Sequence, residues 1–167
     1  SVACSSGTFV LINAVNAIAT GQARSILVVT PEITTPQLNF RDRDSHFIFG
    51  DVAVAFLVER DDSAEDGWAI LNTRMKTAYS NNIRSNFGFL NASETPEPEF
   101  EDRYFVQEGR KVFKEVCPMV AELILDQLKQ NQLAANDMKR LWLHQANINM
   151  NMMIARKAYD RDFSAEE

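Results

Sequence analysis

Residues 3–30 read ACSSGTFVLINAVNAIATGQARSILVVT, and the change of period inside them decides the fold class. From Ser5 to Ala19, the apolar residues Phe9, Ile12, Val15, Ile18 and Ala19 follow helical spacing, and Gly21 supplies a stop. Few charges fall on any face of that helix, which predicts that it is buried. SILVVT, residues 25–30, is then a short continuous apolar run, the pattern of a strand covered on both faces. Pro31, Pro36 and the charged RDRD of residues 41–44 predict a loop. DVAVAFLVER, residues 51–60, reads as a second buried strand, and DDSAEDG turns the chain at 61–67. Trp68 to Tyr79 reads as a third strand, paired with the second.

Residues 80–107, with Pro96, Pro98 and a cluster of acids, read as a surface loop. A long amphipathic pattern follows at Val112, Phe113, Val116, Val120, Leu123, Ile124 and Leu128. Pro118 falls inside it, removing a backbone donor and crowding the preceding turn, so a kink or a split near Cys117 is expected. RLWLHQA, residues 140–146, reads as a further short strand, and Asn149 to Tyr159 as a final helix. Strands alternating with helices predict an α/β protein.

Composition limits the function classes. The chain has 167 residues, enough for a domain with a core, with 46% hydrophobic and 24% charged residues. A net charge of -6 argues against nucleic acid as a partner, because neutralising phosphates needs a basic face. Two distant cysteines without a CxxC pattern suggest neither a disulfide framework nor a zinc site, so no metal is expected. No apolar run approaches the roughly 20 residues that span a bilayer, so no membrane partner is expected. No charged leader with a cleavage site is recognisable, and the expected location is cytoplasmic.

Two segments carry candidate chemistry. Cys4 precedes the first helix, where unpaired N–H groups and the positive dipole end stabilise a thiolate. Ser5, Ser6 and Gly7 are small enough to let a substrate approach the sulfur. The competing reading makes Cys4 a small buried hydrophobe. His144 stands between an apolar run and a helical pattern, with Asn147 three residues on. Such a pair offers side-chain N–H donors to an oxyanion, although a lone strand-end histidine can equally be structural. Cys117 lacks such a setting and reads as core. His46, near Asp44 and Asp51, has no second ligand at metal spacing and reads as structural or exposed.

Taken together, ACSSGTFVLINAVNAIATGQARSILVVTPE, FIFGDVAVAFLVER, GRKVFKEV and LHQAN stand in the order and approximate spacing found in β-ketoacyl-ACP synthase III. The sequence resembles that family, within the thiolase-like superfamily, over nearly the whole chain outside the acidic loop. LHQAN is the most specific element, and the cysteine segment is shared more widely. The resemblance implies a thiolase-like layered α/β/α/β/α architecture, here incomplete. Residues 1–60 would close the N-terminal half, starting at the nucleophile, and residues 61–167 would begin the C-terminal half.

The resemblance also implies an acyltransferase of fatty acid biosynthesis. Cys4 would carry the acyl group of an acyl-CoA as a thioester and condense it with malonyl-ACP to give β-ketoacyl-ACP. His144 would stabilise the enolate formed on decarboxylation, and Asn147 would support or orient. Arg43 keeps the arginine placed near the CoA adenine in relatives. Arg110 stands in the CoA-binding position where the family has asparagine, and Asp44 replaces a glycine. Lys114, Arg156 and Lys157 would form the docking patch for the acidic carrier protein, with Asn149 where relatives often have arginine. No cofactor is implied beyond coenzyme A and phosphopantetheine thioesters as substrates, and the expected assembly is a homodimer. The family's catalytic asparagine segment is not found after LHQAN. The expectation is therefore an internal piece of a longer enzyme, inactive alone and exposing sheet edges and apolar faces. Alternatives are another condensing branch, making alkylquinolones, polyketides or hydrocarbons, and a non-catalytic remnant serving as an interaction piece.

Overall fold

The computed structural model describes residues 3–43, 46–62, 66–85 and 105–162. In chain order these form helix α1 (Ser6–Ala19), strands β1 (Ser25–Glu32) and β2 (Val52–Glu59), and strands β3 (Ile83–Ser85) and β4 (Phe105–Gln107). Helices α2 (Gly109–Gln130) and α3 (Ile148–Tyr159) follow. The chain divides into two compact units. One comprises Ser1–Pro36 with Phe49–Thr73, and the other comprises Gln37–Ile48 with Arg74–Glu167.

In the first unit, α1 ends where the glycine permits it. Gly21 adopts a φ of +76°, its N–H donates to the Ile18 carbonyl, and the Gln22 N–H donates to Ala17. This pair of bonds is a Schellman closure, which satisfies carbonyls the helix would leave open. The chain reverses into β1, which pairs antiparallel with β2 from Ser25 opposite Glu59 to Glu32 opposite Val52. β1 thus runs two residues beyond the predicted Thr30 and includes Pro31. Proline is tolerated there because this two-stranded sheet has an open edge.

Among the described residues only one face of that sheet is covered, a correction to the double burial predicted from SILVVT. Ala14, Val28 and Val58 form the core, with Leu11, Val15, Ile18, Ile26 and Phe56 packed around it. Val28 is 3% exposed, whereas its neighbour Leu27, on the opposite face, is 65% exposed. Leu57, directly across from Leu27, and Val29 share that open face. The continuous apolar run supplies two faces that could be buried, and the described residues supply one helix to cover them. α1 itself is correspondingly only partly buried, with Ile12 and Ala14 its buried positions.

In the second unit, α2 and α3 pack on each other. Cys117, Ala121 and Leu128 are buried on α2, and Ile154 and Ala158 on α3. α2 is not split at Pro118. The proline removes one helical donor, but the remaining bonds and the burial of Cys117 and Ala121 on either side keep the helix continuous. Gln132, with φ of +58°, ends α2 in the manner of Gly21, as Leu133 N–H donates to Leu128 and Gln132 N–H to Lys129.

Neither Trp68–Tyr79 nor residues 140–146 belongs to a β-ladder among the described residues. A strand requires a partner at ladder distance, and apolar alternation alone does not provide one. The lower part of the first segment instead runs antiparallel along α2. Arg74 pairs with Asp126 at 3.2 Å, Lys76 with Glu122 at 3.3 Å, and Glu115 receives both the Ser80 hydroxyl at 2.7 Å and the Asn82 amide at 2.6 Å. Even-numbered residues of the extended segment thus face acids spaced along one side of the helix. The 80–107 loop is corrected in part, since β3 and β4 pair antiparallel, Ile83 opposite Gln107. The rest of that loop, residues 86–104 with Pro96 and Pro98, lies outside the described residues, as does Asp44.

Candidate active site

Cys4 lies in a single 3-10 turn, Ala3–Ser5, immediately before α1, and is exposed. The buried-hydrophobe reading therefore does not describe Cys4; it does describe Cys117, which is 2% exposed. Ser5 is the N-cap of α1, and its side chain makes no capping bond. The helix has no acidic residue in its first turn, where a negative charge would offset its positive end.

His144 is exposed and precedes the turn of Gln145 and Ala146. Asn147 follows as the N-cap of α3, in an extended conformation with φ of -156° and ψ of 118°. Its side-chain oxygen accepts the Asn149 N–H at 2.9 Å and the Met150 N–H at 3.2 Å. Asparagine suits this position because its short carboxamide reaches back to the N–H groups a helix leaves unsatisfied. The oxygen of Asn147 is thus committed to the helix. Cys4 belongs to the first unit and His144 to the second.

The second unit brings several of the predicted cations onto neighbouring helices. Arg110 and Lys114 are one turn apart on α2, both exposed, and Lys114 is three residues before Cys117. Burial pushes the Cys117 thiol pKa up, and the charge of Lys157 on α3 opposes that shift. Arg156, also exposed, is ion-paired with Asp162 at 3.3 Å, which offsets part of its charge. Arg43 is exposed in the loop after β1. His46 directs Nδ1 to the Asp42 carbonyl at 2.8 Å and meets the Phe47 ring edge-on, a local structural role.

One cluster was not anticipated. The Asp51 carboxylate accepts the Thr34 and Thr35 N–H groups at 2.8 and 2.9 Å and the Thr35 hydroxyl at 2.7 Å. The Thr34 hydroxyl donates to the Gly50 carbonyl at 3.0 Å. These bonds extend the β1–β2 pairing beyond its last ladder pair. The Thr35 hydroxyl bond, then the Thr35 amide, hold the Asp51 pKa below the usual carboxylate value. The signal was a pair of hydroxyl residues leaving one strand and a Gly-Asp pair entering the next. Among the described residues no group of three metal-ligating side chains occurs, and no helix is long and apolar enough to cross a membrane.

A family model described as 3-oxoacyl-[acyl-carrier-protein (ACP)] synthase III matches residues 1–78. The whole chain is 57% identical to a Pseudomonas aeruginosa protein named beta-ketodecanoyl-[acyl-carrier-protein] synthase, of which it spans 48%. The chain is thus similar to members of the β-ketoacyl-ACP synthase III family. A beta-ketoacyl-ACP synthase III of Methylococcus capsulatus is 31% identical over 93% of the chain and 46% of its own length. The chain thus spans about half the length of the curated relatives it matches. Among solved structures, 3-oxoacyl-ACP synthase III of Pseudomonas aeruginosa superposes with a TM-score of 0.76 at 22% identity, over 93% of this chain and 47% of that one. The enzyme of the same name from Aquifex aeolicus gives 0.69 at 24%, over 94% and 46%. At such identities the likeness shows the fold, which is α/β of the thiolase-like type.

Proposed function

We propose that the complete protein is a cytoplasmic, homodimeric acyltransferase of fatty acid biosynthesis that condenses an acyl-CoA-derived acyl group with malonyl-ACP. The observation that carries this reading is the 57% identity to a β-ketodecanoyl-ACP synthase along all of the chain, the segments of Cys4 and His144 included. In the first half-reaction the Cys4 thiolate attacks the acyl-CoA carbonyl, a thioester forms on sulfur, and CoA thiolate leaves. Its exposure and its place before a helix start without an acidic residue suit that role.

In the second half-reaction the bond between the malonyl methylene and its carboxylate breaks. Carbon dioxide leaves, and the electron pair passes to the thioester as an enolate. His144, neutral and donating N–H to the enolate oxygen, stabilises the charge as it develops. The enolate carbon attacks the Cys4 thioester, a carbon–carbon bond forms, and the Cys4 thiolate is expelled to leave β-ketoacyl-ACP. Arg43 and Arg110 hold the CoA end of the donor. Lys114, Arg156 and Lys157 meet the acidic carrier protein, and no resident cofactor or metal takes part. Residues 1–60 and 61–167 belong to the two thiolase-like halves of this enzyme.

A β-ketodecanoyl product contains ten carbons, two of them from the malonyl unit, so the primer is an eight-carbon acyl-CoA. The test is product mass after the complete protein is given acyl-CoAs of graded length with malonyl-ACP. A β-ketodecanoyl-ACP product from the eight-carbon donor, and a covalent acyl adduct lost in Cys4→Ser, are expected. An adduct that survives in Cys4→Ser overturns the nucleophile assignment. Absence of any condensation product favours the non-catalytic reading.

A further inference from the structure

We infer that Asn147 is a positioning residue, which sets the place of His144 by capping α3 and does not itself act on the substrate. This rests on the role proposed for His144 in decarboxylation. The body of α3 is fixed independently of its start, because Ile154 and Ala158 are buried and the Tyr159 hydroxyl donates to the Met138 carbonyl at 3.5 Å. Between that anchored helix and His144 lie only Gln145, Ala146 and Asn147. The last of these is held twice. Its side-chain oxygen takes two N–H groups of the first turn, and its backbone carbonyl takes the Asn151 N–H at 3.2 Å.

Asn147 is also where the backbone changes from extended to helical. Its conformation therefore sets the direction in which the two-residue turn leaves the helix, and with it the imidazole. Removing the cap frees the first turn to fray, and His144 loses its fixed relation to α3. The carboxamide oxygen spent on the helix is the group that a direct oxyanion role, which would use only N–H, leaves without a task.

The experiment compares Asn147→Ala, Asn147→Ser, Asn147→Asp and His144→Ala in the complete enzyme. It measures labelled carbon dioxide release from malonyl-ACP, acylation of Cys4 from acyl-CoA, and melting temperature. Asn147→Ala should slow carbon dioxide release about 10- to 100-fold, the scale of a misplaced catalytic group, with acylation unchanged. Serine caps as well as asparagine but has no amide N–H, so Asn147→Ser should recover most of the rate. Asn147→Asp should recover part, its charge opposing the enolate. If serine and aspartate are as slow as alanine, the carboxamide N–H acts directly and the inference is overturned. Equal loss of both half-reactions, or no loss, overturns it too. If His144→Ala leaves carbon dioxide release intact, the role of His144 fails first, and the action of Asn147 through it fails with it.

Discussion

The starts of α1 and α3 carry the two candidate catalytic residues, and they are built in opposite ways. Cys4 leads into a helix whose N-cap Ser5 makes no side-chain capping bond, while His144 leads into one whose N-cap Asn147 takes two backbone N–H groups. A thiolate benefits from the positive end of a helix whose first turn carries no acidic residue. An imidazole that must donate to one developing oxyanion benefits from a rigid placement instead. The surroundings differ in the same sense. α1 lies on a sheet covered on one face, whereas α3 is packed on α2 with buried residues on both helices.

The widest difference is expected in the two half-reactions. In the complete enzyme His144→Ala should leave Cys4 acylation largely intact while condensation falls on the order of 100-fold or more. Stopped-flow acylation beside labelled carbon dioxide release reads both. Loss of acylation first would erase the contrast, making His144 a base for the thiol.

Next comes packing of the sheet beneath α1. Val28→Ala removes buried methyl groups and should destabilise the protein by roughly 1–3 kcal/mol. Leu27→Ala, on the open face, should stay within about 0.5 kcal/mol in the 167-residue chain. Urea denaturation measures each. Equal losses would mean that something covers both faces.

A smaller effect is expected from the cations of the second unit. Charge reversal at Lys114 or Lys157 should raise the KM for malonyl-ACP several-fold and leave acyl-CoA self-acylation unchanged, with wild-type binding weakened by salt. Arg156→Glu should do less, because Asp162 already faces that guanidinium. Steady-state kinetics at two ionic strengths test the order.

The smallest effect belongs to Asp51, at the far end of the β1–β2 pair. Its pKa is lowered in the folded protein, so its contribution is present above the unfolded-state pKa and is lost as pH falls through the folded value. Asp51→Asn should therefore differ from the parent in stability near neutral pH and converge with it well below about pH 4. A difference that persists unchanged in acid would assign the effect to the hydrogen bonds and not to the charge.

The helices, the stop of α1 and the family resemblance were legible in the residues alone. Helical spacing and Gly21 marked α1 to within a residue, and Val112 to Leu128 marked α2, because a helix satisfies its own backbone and its signals are local. The order of ACSSG, FIFGD, VFK and LHQAN carried the same likeness that appears as 57% identity to a β-ketodecanoyl-ACP synthase. What lies opposite each segment emerged only on folding. RLWLH and SILVV are both short apolar runs, yet only the latter has a ladder partner among the described residues, since a strand is a property of two segments. The same holds for Leu27 and Val28, alike in apolar character and unequal in burial because one helix covers one face. It holds again for Lys76, Arg74 and Asn82, whose acids lie 33 to 52 residues along the chain and meet them only once α2 has folded.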